Sequence, residues 1–84
     1  IRIHERMKRK VKLEIKRNGK VGGTIHKELE INLPVNSSAK RYEDEACLQW
    51  LNEYINRDVF LMNFTDVSMA KKHAGVTIKA KYCG

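Results

Sequence analysis

Lysines carry the clearest chemical spacing in the chain. Lys8, Lys10, Lys12 and Lys16 fall on one phase of the stretch 7–16, and Val11, Leu13 and Ile15 fall on the other. Alternation with period two is the pattern of a half-buried strand, so it predicts a row of ammonium groups on one face and a greasy row on the other. Lys79 and Lys81 repeat the arrangement among Val76, Ile78, Ala80 and Tyr82. Arg17 and Lys20 flank Asn18-Gly19, and Lys71 and Lys72 sit in a short stretch, 70–75, that reads as a basic turn. Such rows attract oxyanions, phosphates above all, by charge and counterion release rather than by reading bases. Lysines on strands also protect sheet edges from aggregation, which accounts for a good part of the pattern without any ligand.

Other reactive residues are scattered. His4, His26 and His73 have no partner placed by spacing, and a lone histidine without an orienting group is a poor acid–base candidate. Cys47 falls on an apolar stripe and reads as a small core residue, while Cys83 lies near the end of the sequence; whether they pair is left open. No CxxC spacing or His/Cys cluster suggests a metal. Gly19, Gly22 and Gly23 lack the following helix of a phosphate-cradling loop. The expectation is therefore a protein that is not an enzyme and needs no cofactor.

Charge is distributed unevenly. The net +7 of these 84 residues divides into +8 over 1–27 (ten Lys/Arg, two Glu), −5 over 28–68 (three against eight) and +4 over 69–84 (four against none). Such polarity fits an acidic partner: nucleic acid, a nucleoprotein, an anionic membrane or an acidic protein. No apolar run approaches the ~20 residues of a membrane span and no signal-peptide pattern opens the chain, so no membrane partner is expected and cytoplasmic is the default location. The length suits one small domain over 1–84. Residues 1–6 read either as an extension ahead of Met7 or as part of the first strand, because Ile1 and Ile3 share its apolar phase.

The elements that must hold the lysines follow from periodicity. A helix is predicted over 42–57, where Ala46, Cys47, Trp50, Leu51, Tyr54 and Ile55 recur at three-and-four spacing. Glu43, Asp44 and Glu45 are placed in its first turn and Arg57 at its end, both favoured by the helix dipole. Asn18-Gly19 suits a tight hairpin turn into a strand over 24–33. A two-residue turn would put Ile25 on the polar face, so a bulge at Gly22-Gly23, pairing Leu13 with Ile25, is predicted. Lys27 still falls on the inward phase, with no account beyond an edge position. Pro34 ends that strand, and Asn36-Ser37-Ser38 offers turn and cap chemistry. Strands over 59–69 and 76–82 complete the expectation: α+β, a small antiparallel sheet of two β-hairpins with one helix on one face, in the order β-β-α-β-β.

Within that frame Trp50, Tyr54, Phe60, Phe64 and Tyr82 all point inward, leaving the outer sheet face without a ring on which bases stack. Glu28 and Glu30 interrupt its positive charge. The first functional expectation is a non-catalytic basic module contacting nucleic acid or a nucleoprotein through Lys8, Lys10, Lys12, Lys16, Arg17, Lys20, Lys71, Lys72, Lys79 and Lys81. The alternative is a small inhibitor or adaptor that engages a larger protein target through a sheet edge or through Tyr42, Glu43 and Asp44. In size and element order the whole chain is similar to small phage-encoded proteins that inhibit host machinery, anti-CRISPR proteins among them; no motif carries that likeness and it assigns no residue a role.

Overall fold

A computed structural model describes residues 5–19, 23–56 and 64–84. The alternation that begins at Met7 produces β1 (Arg6–Arg17), whose Val11, Leu13 and Ile15 are all at most 1% exposed. A strand with so apolar a phase must sit where it can be covered, and it is the central one. β2 (Ile25–Pro34) pairs antiparallel on one flank and β3 (Val76–Tyr82) antiparallel on the other, giving the order β2-β1-β3. Two helices, α1 (Ala39–Ile55) and α2 (Val67–Ala74), carry the chain from one flank to the other.

The α+β class and the antiparallel sheet with helical cover stand, but the package of two hairpins and one helix does not. Of the strand expected over 59–69, residues 59–63 lie outside the described residues, and Val67 onward is helix. Asp66 caps α2 by accepting the backbone N–H of Ser68 at 2.9 Å. Val67, Ala70 and Ala74 then recur at helical rather than strand spacing. The supposed basic turn 70–75 is therefore mostly the end of this helix. Gly75 stops it in the left-handed region (φ 69°), a conformation glycine adopts without a Cβ penalty.

α1 starts earlier than its apolar stripe suggests. Ser38 is the N-cap, accepting the backbone N–H of Arg41 at 3.2 Å, so Glu43, Asp44 and Glu45 lie beyond the first turn and owe nothing to the helix dipole. Arg57 lies outside the described residues. Tyr42, Ala46, Cys47, Trp50 and Leu51 face the sheet and meet Val11, Leu13, Ile15, Ile31, Leu33, Val76 and Ile78, with Ala70 of α2 alongside. Fully covering a side chain such as Leu51 or Leu13 is worth about 1.5–3 kcal/mol.

The β1–β2 register also differs from expectation. Ile15 stands opposite Ile25 and Leu13 opposite Lys27, so the ladder is displaced by two residues from the Leu13–Ile25 pairing. Gly22, half of the expected bulge, lies outside the described residues. The physical reason for the shift is at Asn18: its backbone N–H donates to the carbonyl of Gly75 at 2.8 Å, and its Oδ1 accepts from the Thr77 hydroxyl at 2.9 Å. Asn18-Gly19 is tied to the start of β3, and seven residues, 18–24, separate β1 from β2 in the sequence. An even shift keeps every side chain on its face, which is why the face assignments survive the error.

Candidate polyanion-binding face

The outward face of the sheet takes the even positions of β1 and β2 and the odd positions of β3. On β1 these are Lys8, Lys10, Lys12, Glu14 and Lys16; on β2 His26, Glu28, Glu30 and Asn32; on β3 Thr77, Lys79 and Lys81. The six lysines among them are exposed, held in a row only by the pleat beneath. Across the β2 flank the register sets Lys10 opposite Glu30, Lys12 opposite Glu28 and Glu14 opposite His26. Across the β3 flank it sets Lys12 opposite Lys81 and Glu14 opposite Lys79. Like charges directly opposite one another on a sheet are destabilising, whereas opposite charges contribute a few tenths of a kcal/mol. Lys10, Lys12, Lys16, Lys79 and Lys81 thus form one positive seam over β1 and β3, interrupted only by Glu14. A depression of about 320 Å³ opens along it, lined among others by Lys12, Glu14, His26, Lys79 and Lys81.

The other expected residues are placed elsewhere. Arg17 is exposed at the end of β1 but on the helix-facing phase. Lys71 and Lys72 belong to the last turn of α2, on the helical side of the sheet, so they do not join the seam. Lys71 is half-buried beside the core: burial pushes the Cys47 thiol above its ordinary value, and the neighbouring Lys71 ammonium opposes that push. Lys20 lies outside the described residues.

Nor does the start of α1 present the protein-facing set. Tyr42 is 2% exposed, its ring 5.5 Å from that of Tyr82 and its hydroxyl donating to the carbonyl of Met7 at 2.9 Å; it is a core residue. A tyrosine on the apolar stripe was the signal for this. Glu43 accepts the backbone N–H of Tyr82 at 3.0 Å, which covers an amide on the outer side of β3. Asp44 pairs with Lys40 at 3.9 Å in an exposed i,i+4 contact of little energetic weight.

Among the described residues no Phe, Tyr or Trp projects from the outward sheet face. Cys47 and Cys83 are both free, the first buried and the second exposed. No group of three or more His, Cys, Asp or Glu among the described residues could hold a metal ion. No described helix is long and apolar enough to cross a membrane. No protein-family model matches the chain, and no curated protein or solved structure matches it significantly.

Proposed function

We propose that this protein is a non-catalytic module that binds the phosphate backbone of a nucleic acid along the β1–β3 seam. The observation that supports this best is Lys12 opposite Lys81, with Lys10, Lys16 and Lys79 around them. A surface selected only for solubility would intersperse the two signs, as the β2 flank does. Concentrating cations across one strand pair works against the sheet and favours a polyanion. With no aromatic platform on that face, recognition is by charge and indifferent to base identity.

Equilibrium binding to a mixed-sequence duplex across a salt series tests the reading. Five seam lysines neutralising five phosphates give a log K against log salt slope of about −4 to −5. Replacing Lys10, Lys12, Lys79 and Lys81 together with Ala flattens it to about −1. No binding at low salt, or a slope unchanged in the fourfold variant, removes the seam from consideration.

A second reading, a small inhibitor or adaptor of a larger protein, draws on the other flank. Among the described residues β2 has no strand on its outer side, and such an edge can accept an extended segment of another chain. That complex would be saturable, would tolerate the fourfold lysine variant and would fail when a proline is placed at Glu28 or Glu30.

A further inference from the structure

Hydrogen-bond parity shows which part of the outer edge of β2 can take another chain. Successive residues of a strand direct their backbone groups to opposite edges. Val35 donates its N–H to the Glu5 carbonyl at 3.0 Å, in step with the β1–β2 ladder. Odd residues of β2 therefore bond to β1, and His26, Glu28, Glu30, Asn32 and Pro34 turn their backbone groups outward. One end of that row is closed. The Arg6 guanidinium donates to the Asn32 carbonyl at 3.0 Å and to the Asn32 Oδ1 at 3.3 Å, and Pro34 has no N–H to offer. The edge of β3 is closed at Tyr82 by Glu43 in the same manner. Among the described residues no such cap reaches His26, Glu28 or Glu30, so the window 26–30 presents their N–H and C=O groups to the outside.

The side chains of that window specify the chemistry of what it fits. Glu28 and Glu30 are exposed on the outward face. Although they stand opposite Lys12 and Lys10, neither forms an ion pair among the described residues. On the helix-facing phase Leu29 is only partly buried, and Lys27 beside it is exposed. A second copy of β2 fits badly. A twofold pair centred on Glu28 or on Lys27 sets that charge against itself, and one centred on Leu29 sets Glu28 against Glu30 twice. A polyanion is repelled by the two glutamates. An antiparallel strand with cations two residues apart, an apolar residue between them and an acid directly after them does fit. Its cations meet Glu30 and Glu28, its apolar residue covers Leu29, and its acid meets Lys27. β1 is the precedent within the fold, because Lys10-Val11-Lys12 pairs with the same Glu30-Leu29-Glu28 from the other side.

We infer that the 26–30 edge of β2 is a strand-addition site for an extended, alternately basic and apolar segment of another protein. This rests on the edge-pairing reading above, supplies the chemistry of its partner, and does not depend on the lysine seam.

The probe is the capped peptide Thr-Lys-Val-Lys-Glu-Thr, titrated into the isotopically labelled whole protein at about 0.15 M salt. Amide shifts and hydrogen exchange are read residue by residue. Without peptide, the His26, Glu28 and Glu30 amides should exchange faster than those of Lys27, Leu29 and Ile31. Saturating peptide should slow the three even amides by about fivefold or more and leave the odd ones unchanged. Glu28→Gln combined with Glu30→Gln, both at exposed positions, should weaken the peptide by about three- to tenfold. A neutral peptide with Gln for both lysines should lose a similar factor against the parent protein. The fourfold seam variant should bind the basic peptide at least as well as the parent. Equal affinity for the basic and neutral peptides overturns the inference while leaving edge pairing intact. So does a lack of protection at the three even amides in millimolar peptide. If those amides already exchange as slowly as the odd ones without peptide, the edge is closed, and the edge-pairing reading falls as well.

Discussion

The two flanks of β1 are built differently. On the β2 side the ladder runs from Arg6↔Pro34 to Ile15↔Ile25 between strands adjacent in sequence, and its outward lysines Lys10 and Lys12 face glutamates, opposite in sign. On the β3 side the ladder is shorter, from Val11↔Tyr82 to Arg17↔Val76, and joins residues 59 to 71 positions apart. It sets lysine against lysine and is supported by side-chain ties: Thr77 to Asn18 at one end, Tyr82 to Glu43 at the other. The lesson is that the flank with the greater closure entropy and the less favourable charge is the one given extra anchors from outside the ladder. That is the arrangement expected where surface charge serves binding rather than the sheet.

The largest expected effect comes from the core both flanks share. Leu13→Ala should lower stability by about 2–5 kcal/mol, read from urea midpoints, because the leucine is 1% exposed beneath the middle of the sheet. Backbone amide exchange should show both flanks loosening together; loosening of one alone would mean that they are separate cooperative units.

The two tethers of α1 come next. Tyr42→Phe should cost about 0.5–1.5 kcal/mol, since it removes the hydroxyl's hydrogen bond to the Met7 carbonyl. Glu43→Ala should cost less than about 1 kcal/mol, because the Tyr82 amide lies at a sheet edge and can turn to water. A larger loss for Glu43→Ala would show that the β3 flank depends on that carboxylate more than on its own ladder.

Charge exchange sharpens the contrast further. Lys81→Glu places an acid opposite Lys12 and should raise stability by about 0.2–1 kcal/mol while weakening duplex binding. Glu28→Lys places a base opposite that same Lys12 and should do the reverse on both counts. If stability and binding move in the same direction in either variant, the proposed conflict between sheet and ligand is wrong.

The smallest effect concerns the two thiols. At pH 8 in the native protein Cys83 should react with a thiol reagent while Cys47 is protected until unfolding. Because burial raises the Cys47 pKa, its contribution to stability is complete below the ordinary thiol value of 9.0 and is lost as pH rises beyond it. The matching measurement is a stability curve that declines above pH 9.

Which side chains face the core was legible along β1, β2, β3 and α1 apart from Tyr42, because strand and helix periods differ and each leaves its own spacing of apolar residues. The lysine seam was legible for the same reason on β1 and β3. α2 was missed although its boundaries are written in the chain: Asp66 caps and Gly75 stops it, but eight residues give too few helical repeats to compete with the alternation at 60–64. The displaced register was not legible, because a shift of two preserves every face and only Asn18 meeting Gly75 and Thr77 across the sheet selects it.

The sequence by itself determined the faces, since each apolar residue must leave water whatever its neighbours are. Tertiary structure alone decided which strands became neighbours. It put Lys81 beside Lys12 and carried Lys71 and Lys72 to the helical side of the sheet. Those outcomes depend on how distant segments close over one another, and closure is a property of the whole chain rather than of any local pattern.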